Sequence, residues 1–450
     1  MQVDVQYILV FITTILTLVF VSFLPKEKRW IALLIASTLL YWAMVSNLMC
    51  VILLFSIYVF LCGLNILRFS PNVYRIVIVL ALVPLLFLKL ELHNLLNRNI
   101  LGVLGISYFT FNGLSYLIDI RRKYIQPDRN YWMVLLYLIY YPHIFAGPLH
   151  KYKTLTTQFK NEIELKSLNF SLGFRLILWG VFKQSIIAKY FSVLYEYFNT
   201  SDKYSGFALP LQGFFFFFYL YTIFSSYIEI IQGISQLFNI QTASNFQNRV
   251  YASVSRQEFW KGWHMALNNW FRDYFFFAFV KYAKNKTAVN CLLFFTFLLI
   301  ALWHGLTKQY FIWGILNGLW IILEKKVYNP QKSGERSRVS RVLGMSYHLI
   351  IASFIASIFI SEDITTYFST LSSKTNLNNT DFTFIINHVK YLCIPFFLMD
   401  YHYRKAKNER IDVYIGKKTL FHRWFLYFQL IILILIFGID SNILNYYYRF

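Results

Sequence analysis

The sequence predicts an all-α, polytopic membrane protein with roughly ten to twelve transmembrane segments, some of them broken or re-entrant. Hydrophobic residues make up 57% of the 450 positions and charged residues 14%. A soluble domain carries about 25% charged residues, so this chain lacks the polar surface that a soluble protein needs. Apolar stretches also recur from one end of the chain to the other.

The lengths of these stretches define the individual segments. A bilayer core about 30 Å thick takes about 20 helical residues, so full-length spans and shorter, tilted or re-entrant helices are both expected. The first stretch has no basic residues before it and no small-residue cleavage site after it, so we expect a retained helix instead of a signal peptide. The clearest stretches are Ile8–Leu24, Ile31–Met44, Leu48–Leu67, Val73–Leu88, Val289–Trp303 and Phe425–Phe437.

Basic residues dominate the charge, with 43 Lys and Arg against 21 Asp and Glu and a net charge of +22. They form short clusters between apolar stretches, which is typical of cytoplasmic loops and not of a nucleic-acid interface. An external amino terminus would place Lys26–Arg29, Arg68–Arg75 and Arg121–Lys123 in the cytoplasm. Ser46–Asn47 and His93–Arg98 would then lie outside. We therefore expect a multi-pass protein surrounded by lipid, with no nucleic-acid partner.

The cysteines indicate no special chemistry. Cys50, Cys62, Cys291 and Cys393 lie in apolar stretches without a CxxC pair. This spacing predicts neither a zinc site nor a disulfide framework. We interpret all four as small core residues.

The middle of the chain contains an interrupted apolar stretch. Tyr140–Lys153 includes two prolines and a glycine beside two histidines, so it cannot form one straight span. Irregular backbone at membrane depth occurs where it is buried in protein or lines a wet cavity, which predicts a cavity within roughly residues 140–325. Three polar segments are expected outside the membrane: Asn329–Arg341, Lys374–Thr380 and Arg404–Arg410.

An amphipathic pattern follows the sequence Ser255–Glu258, which has the form of a capping box. It predicts one helix over Arg256–Tyr274 that lies in the membrane interface or lines a cavity. His264 would share one side of that helix with Asn268 and Arg272. A histidine there is either a hydrogen-bonded structural residue or part of a site. The apolar stripe of the helix consists of Trp260, Trp263, Leu267, Trp270 and Tyr274.

A second histidine lies in the apolar stretch Cys291–Leu323, which is interrupted only around Trp303–Gln309. About 33 residues are too many for one span, so two helices joined at a break are expected. His304 would lie roughly 22 Å along the first helix from Val289, deep in the hydrocarbon. Ionisable groups at that depth are costly and are candidates for function, although a neutral structural histidine is the alternative. Burial favours the neutral imidazole that a general base requires.

Several motifs occur in a fixed order along most of the chain: Gly105–Phe111 with Leu114–Asp119, Phe145–Pro148, Asn245–Arg249, Glu258–His264 with Trp270–Tyr274, Leu302–Gly305 with Trp313-Gly314 and Asn317-Gly318, and the terminal Tyr446–Phe450. Together they resemble the membrane-bound O-acyltransferase family, in particular its bacterial branch for alginate O-acetylation and teichoic acid D-alanylation. Three positions depart from the family pattern. Asn317 replaces a common histidine, Gly262 replaces a basic residue, and Ser225-Ser226-Tyr227 stands for a usual Ser-Gly-Tyr-Ser-Asp run.

The resemblance implies one membrane domain with a central funnel, in which a catalytic core over 129–328 lies between helices of 1–128 and 329–450. It implies transfer of a short acyl group, acetyl or alternatively D-alanyl, to a hydroxyl of a polysaccharide or polymer outside the bacterial plasma membrane. The donor would be acetyl-CoA or an acyl carrier protein thioester in the cytoplasm. The implied partner is an extracytoplasmic SGNH/esterase-like protein. No bound cofactor or metal is implied.

Within the family pattern, His304 corresponds to the proposed catalytic residue and His264 to a second histidine of the active site. A neutral His304 would remove the proton of the acceptor hydroxyl. His264, Asn268 or a backbone N–H would stabilise the developing oxyanion. The candidate substrate-binding residues are Trp263, Asn268, Trp303, Arg272 and Asp273.

Two other functions use the same histidines. A proton-coupled secondary transporter would use His304 as a relay at a broken helix, but we find no inverted repeat in the two halves of the sequence. A metal transporter would use His143, His150, His264 and His304, whose spacing is irregular for metal ligands. An acyl-transfer assay separates both from the enzyme.

Overall fold

The computed structural model describes residues 2–45, 49–89, 105–143, 147–161, 163–199, 204–327 and 337–438. This part of the chain is helical and contains no strand. The predicted loops Ser46–Asn47 and His93–Arg98, the terminal Tyr446–Phe450, and parts of the Phe145–Pro148 and Asn329–Arg341 segments lie outside the described residues. The structure confirms the all-α fold class.

The helices follow one another closely along the chain. Among the described residues up to Asn199, the α-helices are α1 Gln2–Phe23, α2 Arg29–Val45, α3 Met49–Asn65, α4 Pro71–Ala81, α5 Val83–Lys89, α6 Ile106–Arg121, α7 Tyr131–Ile139, α8 Tyr152–Asn161, α9 Ser167–Phe182 and α10 Lys189–Asn199. The others are α11 Ala208–Leu237, α12 Arg256–Gly262, α13 Met265–Trp270, α14 Phe277–Val280, α15 Lys286–His304, α16 Lys308–Val327, α17 Arg338–Ile360, α18 Ile364–Leu371, α19 Asn379–Ala406, α20 Ile411–Gly416 and α21 Leu420–Phe437. Two π-helical turns, Lys183–Ala188 and Phe271–Phe276, join α9 to α10 and α13 to α14.

Six helices in the described part of the chain are long and apolar enough to cross a membrane. They are Ser167–Asn199, Ala208–Leu237, Lys286–His304, Arg338–Ile360, Asn379–Ala406 and Leu420–Phe437. Shorter apolar helices occupy Ile8–Phe23, Met49–Asn65 and Pro71–Leu86. Large apolar side chains such as Leu435 and Ile350 are exposed on the helix surfaces, as expected where lipid replaces water as the solvent. The number of spans and their orientation stay predictions.

The chain divides into two compact units. This division does not test the predicted boundaries of a catalytic core over 129–328, which stay a prediction. The first unit combines the described residues of Met1–Ile177 with Ile230–Ala243. It contains the interrupted stretch, in which helix α7 ends at Ile139 and the next α-helix begins at Tyr152. The predicted break in this stretch is therefore confirmed in the described residues.

The second unit combines Leu178–Glu229 with the described residues of Ser244–Ile443. A buried lysine, Lys183, lies on the π-helical turn between α9 and α10 and has no exposed side-chain surface. Its ammonium group donates to the Ser225 hydroxyl at 2.7 Å, to the Glu229 carboxylate at 2.9 Å and to the Tyr403 hydroxyl at 2.8 Å. Three acceptors match its three protons, and they join this turn to α11 and α19.

Helices α15 and α16 form a hairpin in the second unit. The first ends at His304 and the second begins at Lys308, which confirms two helices with a break between them. Gly314 brings them together, because a Cβ atom there would lie 2.7 Å from the Cβ of Ala301. Small residues permit this kind of close packing between membrane helices.

Two predictions about local structure are wrong. The cysteines are not core residues, since Cys50 and Cys291 are exposed and Cys62 and Cys393 are half-buried. A thiol is apolar enough to face lipid, so an apolar stretch does not distinguish the two positions. The single helix over Arg256–Tyr274 is also wrong, because the chain breaks inside it.

Candidate active site

The break between α12 and α13 creates the position of the first site histidine. Ser255 caps α12, accepting a hydrogen bond from the Glu258 amide at 3.1 Å, as the capping pattern predicts. The helix nevertheless ends at Gly262, and Trp263 adopts an extended conformation. His264 then has φ 44° and ψ 50°, in the left-handed region, and immediately precedes α13. The prediction that His264 and Arg272 share one face of a single helix is therefore wrong.

Asn268 stabilises this break. Its side-chain amide donates to the carbonyl of Trp260 at 3.0 Å and to the carbonyl of Trp263 at 2.6 Å. The Trp260 carbonyl lies in the last turn of α12 and the Trp263 carbonyl directly follows the helix, so no further helical amides are available to them. Because both amide protons are donated to backbone oxygens, neither remains for an oxyanion. The predicted oxyanion role of Asn268 is therefore not supported.

The imidazole of His264 is buried, with 6% of its surface exposed. Its Nδ1 lies 3.2 Å from the Oδ1 of Asn245. Phe224 of α11 packs edge-on against the ring, with 4.8 Å between centroids. Burial lowers the pKa of His264 to about 3. The ring is consequently neutral at physiological pH.

His304 is the last residue of α15 and is surrounded by aromatic rings. The ring centroid of Trp313 lies 5.1 Å from that of His304, and the ring of Phe359 is also at 5.1 Å. Tyr310 is at 6.0 Å and packs over Gly305, where a Cβ atom would be 2.7 Å from its ring. His304 is half-buried, in contrast to the full burial expected from the apolar sequence, because the helix ends there.

Trp303 brings the two candidate catalytic histidines to one place. Its ring lies 4.6 Å from the ring of the adjacent His304 and 6.1 Å from the ring of His264. The two histidines are 40 positions apart in the sequence, yet both contact the same indole. This arrangement gives one half-buried and one buried imidazole beside an aromatic surface.

The other candidate substrate-binding residues have different surroundings. Trp263 is 9% exposed, and the rings of Phe217, Phe246 and Phe259 lie within 6.0 Å of it. Its evident contribution is to the packing of the fold.

Arg272 and Asp273 lie on the π-helical turn after α13. The two side chains form an ion pair with one another at 3.0 Å. The Arg272 side chain is about half exposed. Their role in substrate binding stays a prediction.

The contacts of His150 exclude it as a ligand in the metal-transport alternative. Its Nδ1 donates to the carbonyl of Pro148 at 2.6 Å. Its Nε2 accepts from the amide of Ala243 at 2.8 Å. Since both ring nitrogens are bound to backbone groups, His150 has no lone pair for a metal ion.

A sequence model of the membrane-bound O-acyltransferase family matches residues 31–362, well over half of the chain. The chain belongs to the membrane-bound O-acyltransferase family. The matched range includes both histidines and Trp303.

Curated relatives share part of this membrane-bound O-acyltransferase sequence. The probable alginate O-acetylase AlgI of Pseudomonas syringae pv. tomato is 32% identical over 235 residues, covering 51% of this chain and 44% of the relative. The teichoic acid D-alanyltransferase of Bacillus subtilis is 31% identical over 236 residues, covering 49% and 58%. The peptidoglycan O-acetyltransferase of Helicobacter pylori is 26% identical over 243 residues, covering 48% and 46%. The chain spans about half the length of these relatives.

One departure from the family pattern has a structural explanation. The side-chain oxygen of Asn317 accepts hydrogen bonds from the guanidinium of Arg256 and, at 3.1 Å, from the indole N–H of Trp260. Arg256 is only 3% exposed, and the Glu324 carboxylate accepts from its backbone amide at 3.0 Å. The asparagine therefore supplies an acceptor for a buried arginine of α12.

The residues that sequence reasoning missed come from distant parts of this membrane-bound O-acyltransferase chain. Asn245 and Phe359 contact the two histidines from the segment before α12 and from α17. Asn245 is the first residue of the motif Asn245–Arg249, so the sequence indicates that it belongs to a motif. The sequence does not indicate that it contacts His264. For Phe359 the sequence offers no signal beyond an apolar helix.

Proposed function

We propose that this chain is a membrane O-acyltransferase that transfers a short acyl group, with acetyl as the first candidate. The group moves from a cytoplasmic thioester to a hydroxyl of an extracytoplasmic envelope polysaccharide or polymer. The observation that carries the proposal is the meeting of His264 and His304 at Trp303 within a chain of this family. The thioester donor is acetyl-CoA or an acyl carrier protein. The acceptor is reached directly or through an extracytoplasmic SGNH/esterase-like partner.

The chemistry requires a base at the acceptor hydroxyl. A hydroxyl is a weak nucleophile until its proton is removed, and His304 is the residue we assign to this step. The oxygen then attacks the thioester carbonyl, the C–S bond breaks, and the proton held by His304 passes to the leaving thiolate. An ester and a thiol are formed without net uptake or release of a proton.

The surroundings of His304 suit this role. Trp303, Trp313 and Phe359 form apolar walls around the imidazole. Apolar walls keep water from the reacting thioester and so limit its hydrolysis. Because His304 ends α15 and is half-buried, the ring remains accessible to a substrate.

D-alanyl transfer is the second candidate. The similarity to the teichoic acid D-alanyltransferase of Bacillus subtilis, at 31% identity, supports it almost as strongly as the similarity to the alginate O-acetylase of Pseudomonas syringae pv. tomato. The two candidates share the site and the acceptor chemistry and differ in the donor.

The deciding experiment supplies both donors to the purified protein in proteoliposomes. Labelled acetyl-CoA and a labelled D-alanyl carrier protein are tested separately with envelope polysaccharide fractions. We expect ester-linked label from acetyl-CoA, loss of this label in His304→Ala, and no loss in His422→Ala, which alters an exposed histidine on α21. The proposal would be contradicted if neither donor gave labelled ester when the envelope fraction supplies the partner protein, or if His304→Ala gave as much labelled ester as the wild type.

The partner can be tested in the same system. Full acylation of the final polymer by this protein alone would argue against a relay through an esterase-like protein.

A further inference from the structure

Asn245 is a fully buried residue that holds the amino-terminal end of α13. Its backbone carbonyl accepts from the amide of Met265 at 2.8 Å. Its side-chain oxygen accepts from the amide of Ala266 at 2.9 Å. The same oxygen lies 3.2 Å from the Nδ1 of His264. Asn245 thus contacts three consecutive residues at the helix break.

These contacts determine which way the Asn245 amide points. The backbone amide of Ala266 is a donor, so the Asn245 atom that faces it must be the oxygen and not the nitrogen. The same oxygen therefore also faces Nδ1 of His264. An oxygen can only accept, so Nδ1 carries the proton. A neutral imidazole has one such proton, which leaves Nε2 of His264 with a lone pair and no hydrogen.

The Nε2 atom of His264 is buried and has no hydrogen-bond partner among the described residues. A buried acceptor without a partner is costly to the fold and calls for an explanation. The backbone of the same residue is in the left-handed region at φ 44°, which is disfavoured for a residue with a side chain. Two unfavourable features at one residue are characteristic of a site that binds a ligand.

Resting on the proposed acyl transfer, we propose that Asn245 is a positioning residue that holds His264 as the Nδ1–H tautomer, so that Nε2 accepts a hydrogen bond from a hydroxyl of the acceptor substrate. His264 then orients the acceptor, while His304 removes the proton of the attacking hydroxyl. A polysaccharide presents neighbouring hydroxyls, so the two imidazoles have separate partners. His264 in this tautomer cannot donate to an oxyanion, which leaves a backbone N–H as the predicted donor.

The groups that face His264 are mainly uncharged. The preceding segment contributes the Asn245 amide, α11 contributes the ring of Phe224, and α15 contributes the indole of Trp303. The titratable group beyond that indole is His304. Arg249 follows in the same segment, but it is paired with Asp400 at 2.6 Å.

The tautomer can be measured without any substrate. In the full-length protein labelled with ¹⁵N and ¹³C histidine and reconstituted in lipid, solid-state NMR distinguishes protonated from unprotonated ring nitrogens at Nδ1 and Nε2. The signals of His264 are those missing from the spectrum of His264→Gln. We expect a proton on Nδ1 and none on Nε2 at pH 7. A proton on Nε2 would overturn the proposal whether or not the protein transfers acyl groups.

The kinetic test replaces Asn245 by aspartate. A carboxylate of the same shape keeps both acceptor contacts but favours the imidazolium, so it raises the pKa of His264. Protonated Nε2 can no longer accept. Asn245→Asp should therefore lose acyl transfer by about tenfold per pH unit below the new pKa and approach the wild-type rate at higher pH. The wild-type rate should lack the loss that comes from protonation of His264.

The matched control is Asn387→Asp, which adds the same charge at an exposed position of α19. Its pH profile should equal that of the wild type. Two results for folded Asn245→Asp would overturn the role of His264 as an acceptor. One is a pH profile of acyl transfer equal to that of the wild type, and the other is the same fractional loss of rate at every pH. A wild-type protein that transfers no acyl group would instead refute the proposed function, and the NMR result would stand apart from it.

Discussion

Replacing Asn317 by leucine should destabilise the second unit by leaving a buried arginine without its acceptor. Asn317 is fully buried in α16. Its side-chain oxygen accepts from Arg256 and from the indole of Trp260, and its amide donates to the carbonyl of Trp313 at 2.8 Å. Leucine has a similar volume and removes both the acceptor and the donor.

The magnitude follows from the two donors that lose their acceptor. A hydrogen bond from a charged group contributes about 1.5–3 kcal/mol, and the bond from the half-buried indole N–H of Trp260 contributes about 0.5–1.5 kcal/mol. The added apolar surface of leucine returns about 1 kcal/mol. The free energy of unfolding should therefore fall by roughly 1–3.5 kcal/mol. Burial already lowers the pKa of Arg256 to about 10, yet the guanidinium remains charged at pH 7.

The measurement is thermal unfolding of the purified protein in detergent, followed by tryptophan fluorescence. A loss of this size should lower the apparent Tm by several degrees. The matched variant Arg256→Met with Asn317→Leu removes the charge together with its acceptor, and such replacements are often close to neutral. It should recover part of the loss, since the Trp260 N–H still lacks a partner.

Two results would refute this reasoning. The first is an Asn317→Leu variant that is as stable as the wild type. Water or another group would then accept the hydrogen bond of the Arg256 guanidinium. Alternatively, the double variant could be no more stable than the single variant. The coupling energy between the two positions would then be near zero, and the observed loss would come from packing alone.

Three further predictions concern catalysis, packing and topology. His304→Ala should slow acyl transfer by about 10²–10⁴-fold with normal membrane insertion, because general-base catalysis is lost; near wild-type transfer would show that His304 is not the catalytic base. Trp263→Ala should lower the unfolding free energy by roughly 3–5 kcal/mol, as measured by denaturation in detergent, because the ring is packed among aromatic side chains. Unchanged stability would show that the ring is not a packing element. Single cysteines placed in Lys26–Arg29 or Arg121–Lys123 should resist an impermeant thiol reagent added outside intact cells, and ready labelling would reverse the predicted orientation.

Local sequence predicted what depends on local interactions. The cap at Ser255 follows from the side chains of one turn, and it is present. The break after His304 follows from the length of an apolar stretch and from Gly305, and it is present too. The pairing of His264 with His304 as site residues came from motifs, and the structure places both against Trp303.

The break at His264 could not be predicted, because it depends on residues distant in the sequence. The segment Trp260–Asn268 contains one glycine and no proline, and its apolar spacing is that of an unbroken helix. The side chain of Asn245 satisfies the Ala266 amide at the start of α13, and Asn268 satisfies the carbonyls at the end of α12. Helical spacing reports which residues share a face, but not whether other groups can replace the lost helical hydrogen bonds.

The buried lysine of the second unit constrains how the protein can be made. The segment Ser167–Asn199 carries Lys183, whose carboxylate partner Glu229 lies on the next span and whose third acceptor, Tyr403, lies on α19. An unpaired lysine in the centre of a span costs about 2.5–3.5 kcal/mol on insertion. We therefore expect Ser167–Asn199 to remain beside the insertion machinery until Ala208–Leu237 has been synthesised. The two segments would then enter the lipid with their charges paired, and assembly would be complete only when α19, which begins at Asn379, has been synthesised.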